Sequence, residues 1–481
     1  MSTYIFGRST MVNMDPLFYP EAVAVVGASP DIVRDRAGFF GSLRECFKGR
    51  LYPVNPRHAE IQGLKCYGRV KDIPEQVDYA LVMLPREKVP AVLEDCAAAK
   101  VKFVLVFTSG FSEIGDFELE RKLVDIARAG GTRIVGPNCI GAHCPENGLV
   151  YYPPMMSDNP GDVAFFSQSG GHALNFLIRG LSLGVAFNKV ISVGNQADLR
   201  IEDFIEYFGA DERINYICGY VEDIKDGERF KKLARSIIIE KKKPFIIWKG
   251  GRSEEGARAT RSHTGAMAIP VKIWDSVMGQ LGVINAESQE EMADILTSLR
   301  LGFLPRGLNT CILVAGGGSS VELTDAVSLN GLSVPELSEG VQDAIGEGIS
   351  RVNTSTRNPI DLGMFGFAPN IFVESAARAA EDPAIDIIMV CQYPEIVSFM
   401  VKELWEASAD LIVEGLSKIK KPVVMVIPRV VHHRADVDEI RADFTRKLNA
   451  AGIPVYTSAA RAARAARKIA RYLDYMKRNA G

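Results

Sequence analysis

The sequence predicts an α/β fold of three doubly wound domains, because short apolar runs alternate with segments of helical periodicity. The runs "AVAVVGAS" (22–29) and "YALVMLP" (79–85) have the length and the β-branched content of buried strands. Between such runs lie segments such as "FELERKLVDIARAG" (117–130), in which apolar residues recur at helical spacing. Strands that alternate with helices are typical of parallel sheets built from βαβ units.

This pattern occurs three times along the chain, which predicts domains at residues 1–150, 151–305 and 306–481. The second round follows a proline-rich joint, "YYPPMMSDNPGD" (151–162). Further strand-like runs are "KFVLVFTSG" (102–110), "TRIVGPN" (132–138), "VAFFSQSGG" (163–171), "KVISVGN" (189–195), "NYICGYVED" (215–223), "KPFIIWKGG" (243–251), "NTCILVAGGGSS" (309–320), "IDIIMVCQYP" (385–394), "KPVVMVIPR" (421–429) and the start of "AGIPVYTSAARAARAA" (451–466).

Composition is that of a soluble globular protein, with 47% hydrophobic and 24% charged residues among 481. A formal net charge of -3 gives no general affinity for nucleic acid or for an acidic membrane surface. No apolar run approaches the roughly 20 residues of a membrane helix, and "MSTYIFGRST" (1–10) lacks the apolar core of a signal peptide. The eight cysteines form no CxxC pair and predict free thiols, hence a cytoplasmic protein without a metal site.

The loop after the first predicted strand holds Gly27, Ala28 and Ser29. In doubly wound sheets, ligands bind at the carboxyl ends of the strands, where amide groups of the next helix point outward. A Gly-Ala-Ser turn that opens a helix can therefore cradle a phosphate group. The turn does not match GxGxxG, so an ordinary βα turn is the alternative.

The next loop, "LYPVNP" (51–56), places Val54, Asn55 and Pro56 at the end of the second strand. A classical NAD site would have an acidic residue there to bind the ribose hydroxyl. Asn55 in that position disfavours NAD and favours another ligand that carries phosphate.

Two further strand ends bring Ser109, Gly110 and Asn138 to the same edge of the first sheet. The three residues come from "FTSGFSEIG" (107–115) and "GPNCIG" (136–141). They are predicted to line one crevice, although each residue is also common in turns for its own conformational reasons.

The second domain begins with "SQSGG" (167–171), which lies between a strand and a helix start. Ser167, Gln168, Ser169 and Gly170 form a candidate anion site, because unpaired amide groups and the positive end of the helix dipole meet there. A nucleophilic serine is the alternative, but GxSxG fails because Ser167 stands where the first glycine should be.

A carboxylate and a histidine complete the candidate chemistry of this domain. "YVEDIKDG" (220–227) puts Glu222 at a strand end, where it is either an orienting partner for an imidazole or a solvated loop carboxylate. His263 lies in "GGRSEEGARATRSHTGAMA" (250–268), whose glycines and arginines are typical of an exposed, flexible loop. A phosphoryl carrier needs an imidazole nitrogen that is neutral near pH 7, together with amides and cations around it. His263 with nearby Gly265 satisfies this description, and a plain surface histidine is the alternative.

In order, these segments resemble one family over nearly the whole chain. The motifs are "VAVVGAS", "YPVNP", "TSGFSE", "GPNCIG", "FFSQSGG", "SVGNQADL", "YVEDIKDG", "WKGGRSEEGARATRSHTGAMA" and "NPIDL" (358–362). Together they look like the α-subunit portion of NDP-forming acyl-CoA synthetases, especially the ADP-forming acetate–CoA ligases. They are more distantly similar to the α subunit of succinyl–CoA ligase.

The resemblance implies a Rossmann-like CoA-binding domain followed by two flavodoxin-like domains of the succinyl-CoA synthetase type. It also implies a reaction that links acyl-CoA, phosphate and ADP to a carboxylic acid, CoA and ATP through an acyl phosphate and a phosphohistidine. By this likeness His263 carries the phosphoryl group and Glu222 steadies it. CoA is expected on the first-domain loops, and phosphate on "SQSGG".

The same resemblance implies a partner, because the family also needs an ATP-grasp module and no such region follows the third domain. We therefore expect a hetero-oligomer in which an ATP-grasp β subunit holds ADP or ATP with Mg²⁺. Two alternatives remain at this stage. One is a non-catalytic sensor of CoA or acyl-CoA that has the same fold, and the other is a nicotinamide oxidoreductase.

Overall fold

The computed structural model describes residues 11–31, 38–157, 159–264, 269–350, 352–400 and 402–479. Side chains are described for all of these except residues 261–264, 398–400, 402–404 and 406. The chain divides into two compact units, residues 1–289 and 290–481.

The first unit contains two sheets that carry the candidate site. Its strands are β1 (Ala22–Val26), β2 (Arg50–Val54), β3 (Glu60–Ile61), β4 (Leu64–Lys65), β5 (Tyr79–Val82), β6 (Phe103–Val106), β7 (Arg133–Val135), β8 (Gly141–His143), β9 (Val163–Ser167), β10 (Phe187–Ser192), β11 (Tyr216–Val221), β12 (Phe245–Lys249) and β13 (Ile284–Ala286). Its helices are α1 (Asp15–Phe18), α2 (Phe39–Cys46), α3 (Val89–Ala98), α4 (Phe117–Ala129), α5 (Gly170–Ser182), α6 (Ile201–Ala210), α7 (Gly227–Arg235), α8 (Glu254–Thr264) and α9 (Val271–Leu281).

The first sheet is parallel throughout and has the strand order β2-β1-β5-β6-β7. Every residue of β1, β5 and β6 is buried, as expected for strands covered by helices on both faces. β2 lies on one side of β1, and the later strands lie on the other side. The loops after β1 and β5 therefore flank a crevice of the kind in which such sheets bind ligands.

The second sheet has the order β13-β12-β11-β9-β10-β8, and its strands are parallel except for β8, which pairs antiparallel with β10. The sequence does not predict β8, because its three residues, Gly-Ala-His, carry no β-branched side chain. β8 precedes residue 150 and yet joins the second sheet. The domain boundaries near 150 and 305 stay predictions.

The second unit repeats the doubly wound plan. Its strands are β14 (Thr310–Val314), β15 (Ile360–Asp361), β16 (Ile387–Cys391), β17 (Val423–Val426) and β18 (Val455–Tyr456), in the parallel order β15-β14-β16-β17-β18. Its helices are α10 (Gln289–Arg300), α11 (Gly317–Leu329), α12 (Glu339–Gly346), α13 (Pro369–Glu381), α14 (Pro394–Met400), α15 (Lys402–Ser417), α16 (Ala435–Ala450) and α17 (Ala459–Arg478).

The predicted fold class, α/β with three doubly wound sheets, is confirmed. Each long apolar run singled out in the sequence contains a strand of one of the three sheets. Within the described ranges, no helix combines the length and the apolarity that crossing a membrane requires.

Candidate active site

The loops after β1 and β2 are held together by hydrogen bonds. The amide of Gly27 donates to the carbonyl of Val54 at 2.9 Å, and the side-chain amide of Asn55 donates to the carbonyl of Ala28 at 2.9 Å. Residue 27 has a φ of +94°, and a Cβ there would stand 2.8 Å from the carbonyl oxygen of Met83. Only glycine fits this turn without strain. Asn55 therefore acts first as a brace that shapes the turn.

The loop after β6 is held by a carboxylate. A carboxylate oxygen of Glu113 accepts from the amide of Gly110, and the carbonyl of Gly110 accepts from Arg86 at 2.6 Å. Burial alone would raise the pKa of Glu113, but hydrogen bonds from Gly110 and from Asn195 outweigh burial and lower the pKa below its usual value. The exposed Ser109 is thus presented on a fixed loop.

Asn195 joins the two sheets of the first unit. It follows β10, yet its side-chain nitrogen donates to Glu113 at 2.5 Å and to the hydroxyl of Ser112 at 3.2 Å. Its side-chain oxygen accepts from Asn138 at 3.4 Å. Asn138 has a left-handed φ of 62° and donates its amide to Thr108 at 3.1 Å. Loops from the first sheet are thereby set against a loop of the second.

The segment "SQSGG" forms a strand-to-helix turn, as predicted. β9 ends at Ser167 and α5 begins at Gly170. The hydroxyl of Ser167 donates to the carbonyl of Ser169 at 2.6 Å, which tightens the turn. Ser169 caps the helix by accepting the amide of His172 at 3.3 Å. The amino end of α5 is therefore capped by a hydroxyl group, and the first turn of the helix contains no acidic residue.

These loops surround one cleft with a volume of about 850 Å³. The predicted site residues that line it are Gly27, Ser29, Asn55, Ser109, Asn138, Gln168, Ser169 and Gly170. The other predicted residues of the same loops lie beside or behind the lining, and these are Ala28, Val54, Pro56, Gly110 and Ser167. Candidate ligand loops of the first sheet and the candidate anion site of the second thus share a cavity.

Glu222 is buried, which contradicts the alternative of a solvated loop carboxylate. It follows β11 directly and is 6% exposed. The hydroxyl of Tyr220 donates to its Oε1 at 3.1 Å, and its backbone amide donates to the side-chain oxygen of Gln168. Gln168 also donates to Asp223 at 2.6 Å. Because Gln168 lines the cleft, one side chain links the anion site to the segment that bears Glu222.

His263 lies in the last turn of α8. The expectation of a flexible loop over 250–268 was therefore wrong for the residues of this helix. Ser253 caps this helix by accepting the amide of Gly256 at 3.0 Å, and Glu254 and Glu255 occupy the first turn, where acidic residues favour the helix dipole. The glycine content of the segment predicts a loop, but the cap at Ser253 and the alanine and arginine residues of the helix outweigh it. The side chain of His263 and the whole of Gly265 lie outside the described residues.

Comparison with known proteins decides between the ligase and the two alternatives, a CoA sensor and a nicotinamide oxidoreductase. The chain is 34% identical over 419 residues to the alpha subunit of the ADP-forming acetate–CoA ligase II of Pyrococcus furiosus, across 85% of this chain and 89% of that subunit. The chain belongs to the family of ADP-forming acyl-CoA ligases.

Other comparisons agree with membership of the ADP-forming acyl-CoA ligases. Residues 21–145 match the CoA binding domain family, and residues 160–299 match the succinyl-CoA ligase like flavodoxin domain. The 4-hydroxybutyrate–CoA ligase [ADP-forming] of Nitrosopumilus maritimus is 30% identical across 97% of this chain, which spans 65% of that protein. The dinucleotide-forming acetyl-coenzyme A synthetase 1 of Ca. Korarchaeum cryptofilum, solved with phosphate and ADP, superposes with a TM-score of 0.80 at 32% identity, covering 98% of this chain and 99% of that one.

Residues that the sequence does not single out also line this cleft or hold its loops in place. Arg57 and His58 line it next to Asn55. A signal for Arg57 existed, since a cation directly after a strand-end loop suits a ligand that carries phosphate. Asn195 gave no such signal, because its contacts reach residues more than 50 positions away in the chain.

Proposed function

We propose that this chain is the α subunit of an acid–CoA ligase that interconverts acyl-CoA, ADP and phosphate with a carboxylic acid, CoA and ATP. The observation that carries the proposal is the shared cleft, in which loops of the CoA-binding domain meet the amino end of α5. An acyl thioester and an inorganic phosphate could therefore react within one cavity. The ligase relatives favour this function over a CoA-binding sensor.

CoA is expected on the first-sheet side of the cleft. Gly27, Ala28 and Ser29 would approach the CoA phosphates through backbone groups, because Gly27 has no side chain to block the approach. Asn55 shapes that turn, with Val54 and Pro56 beside it. Ser109, Gly110 and Asn138 would border the part of CoA that points toward the second sheet.

Phosphate is expected at the start of α5, held by Ser167, Gln168, Ser169 and Gly170. A phosphate oxygen would attack the thioester carbonyl carbon, the carbon–sulfur bond would break, and CoA would leave as a thiolate. The product of this step is an acyl phosphate. Preorganised amide groups stabilise the charge that develops on the oxygens.

Phosphoryl transfer to His263 would follow. An imidazole nitrogen attacks phosphorus, and the bond from phosphorus to the acyl oxygen breaks, which releases the carboxylate product. Glu222 would balance the positive charge of the phosphorylated imidazole, and Gly265 would leave room for the phosphoryl oxygens. The buried position of Glu222 supports this role, because a carboxylate acts more strongly where water is excluded.

The last transfer, to ADP, requires a partner. We propose an ATP-grasp β subunit that holds ADP or ATP and Mg²⁺, so that the active enzyme is a hetero-oligomer. The likeness to a protein named as a subunit alpha supports this composition. Cytoplasmic residence is proposed with it, since all eight cysteines are free thiols.

The test is phosphate-dependent release of free CoA thiol from acetyl-CoA, with arsenate as a second arm. An acyl arsenate hydrolyses spontaneously, so arsenate should drive continuous thiol release without ADP. The enzyme purified with its partner should release thiol in both arms. His263→Ala should retain the arsenate arm, because the carrier acts after this step. Binding of CoA without thiol release from any of a panel of acyl-CoAs would overturn the proposal in favour of the sensor.

A further inference from the structure

An aromatic cluster stands next to Glu222. It consists of Tyr220, His172 and Trp248, whose ring centroids lie 4.5 to 4.6 Å from one another. Tyr220 and Trp248 are paired neighbours on β11 and β12, and His172 lies in the first turn of α5. We infer that Tyr220 is a positioning residue that holds the carboxylate of Glu222 for phosphoryl transfer, with the other two rings keeping the phenol in place. The inference rests on the proposed function.

The contact between Tyr220 and Glu222 is direct. Tyr220 lies one residue before the end of β11, and Glu222 follows that strand directly, so the phenol and the carboxylate are close neighbours. The hydroxyl donates to Oε1 at 3.1 Å, and both residues are only 6% exposed. Burial, followed by the charge of Glu222, raises the pKa of the Tyr220 phenol, so the hydroxyl keeps its proton and remains a donor. Water competes little for such a buried bond.

The space for the phenol depends on a glycine in the next strand-end loop. A Cβ at residue 250 would lie 2.4 Å from the Tyr220 hydroxyl oxygen and 3.0 Å from the ring carbon that bears it. The amide of Gly250 pairs with the carbonyl of Val221 at 2.8 Å, which fixes the loop beside Glu222. The packing at this point therefore accommodates the hydroxyl and excludes a larger residue.

Three titratable residues near Glu222, on α5, on β12 and in its own loop, act on it in ways that differ from the hydrogen bond of Tyr220. On α5, burial lowers the pKa of His172 more than the nearby charge of Glu222 raises it. The imidazole of His172 is therefore neutral near pH 7. From β12, Lys249 donates to the backbone carbonyl of Glu222 at 3.4 Å, and burial lowers its pKa. Asp223 is engaged by Gln168 and by Lys225 at 2.9 Å. His172 thus contributes a ring rather than a positive charge.

The test is Tyr220→Phe, which removes one oxygen and keeps the ring. We expect the phosphorylated fraction of His263, formed from acetyl-CoA and ³²P-phosphate, to fall about tenfold, the usual scale for a hydrogen bond to a charged group. The KM for acetyl-CoA should not change.

Two further variants distinguish a loss of the hydrogen bond from Tyr220 to Glu222 from a general loss of folding stability. Gly250→Ala keeps the hydroxyl but displaces it, and should reproduce the defect of Tyr220→Phe. Tyr216→Phe, at the other end of β11, is the matched control and should behave as wild type.

Three results would overturn the inference. One is an unchanged phosphorylated fraction in Tyr220→Phe beside a labelled wild type. The second is a defect in His172→Phe without one in Tyr220→Phe, which would assign the role to His172. The third is a wild-type enzyme that is not labelled at His263, which would overturn the proposed function and this inference with it.

Discussion

The two units begin corresponding helices in different ways. In the first unit, α5 follows β9 and is capped by the hydroxyl of Ser169. In the second unit, α11 follows β14 and begins after Gly316, which has a φ of +117° and no side chain to act as a cap. There the carboxylate of Asp361 accepts the amide of Gly316 at 3.0 Å and that of Gly363 at 2.9 Å.

This difference shows how similar sheets acquire different chemistry. A helix start attracts anions through its amide groups and its dipole. In the second unit a buried carboxylate of the chain itself already supplies that negative charge. In the first unit hydroxyl groups shape the turn, and Gly170 and Gly171 face the cleft. The comparison therefore supports the proposed phosphate site at the start of α5 rather than one at the start of α11.

The largest expected effect is a loss of histidine phosphorylation when one negative charge is removed from the first unit. The same change in the second unit should have almost no effect. Glu222→Gln should lower the phosphorylated fraction of His263 by at least about tenfold, because a neutral amide cannot balance the imidazolium. Asp361→Asn, the matched change in the second unit, should leave that fraction within about twofold. Quantitative ³²P labelling of both variants measures the contrast. Equal losses in the two variants would remove the distinction between the units.

A smaller effect is expected from the helix caps. Ser169→Ala should cost about 1 kcal/mol of unfolding free energy and weaken phosphate binding about fivefold. Ser458 caps α17 in the second unit by accepting the amide of Arg461 at 3.4 Å. Ser458→Ala should cost a similar free energy without changing phosphate affinity. Urea unfolding and phosphate titration provide the two readouts, and a loss of affinity in Ser458→Ala would show that stability alone controls binding.

The smallest effect concerns the loop carboxylate Glu113 of the first unit. Because its folded pKa is depressed, its ionised form stabilises the folded state fully above the unfolded value of about 4.3, and this contribution disappears as pH falls through the lower folded pKa. Glu113→Gln should therefore be less stable than wild type near neutral pH and equal to it in strong acid. Urea unfolding across that range checks this. A stability difference between wild type and Glu113→Gln that grows as pH falls would contradict the lowered pKa of Glu113. Partial exposure of Glu113 to solvent keeps the effect modest.

Sequence patterns predict the parts of this molecule that depend on local chemistry. The strand runs, the capped turn at Ser169 and the strand-end position of Glu222 all follow from residue order and spacing. The brace role of Asn55 is less visible, because it needs the loop after β1 to lie beside the loop after β2. The sequence therefore identifies the candidate ligand loops but not what each residue does within them.

The remaining features depend on tertiary contacts. Asn195 gains its role only when the loops after β6 and β10 meet. The aromatic cluster around Tyr220 requires β11, β12 and α5 to pack together, so the spacing of its residues in the sequence does not predict it. α8 forms where the glycine content predicts a loop, because the cap at Ser253 favours a helix there. Long-range packing and competition between local preferences account for these differences.

The most direct test of the account is to map ³²P after incubating the enzyme with acetyl-CoA and labelled phosphate. We predict one acid-labile, base-stable label on this chain, located at His263 and absent from His263→Ala, which should still bind CoA. Label on another residue of this chain, or equal labelling of His263→Ala, would contradict the assignment of the phosphoryl carrier.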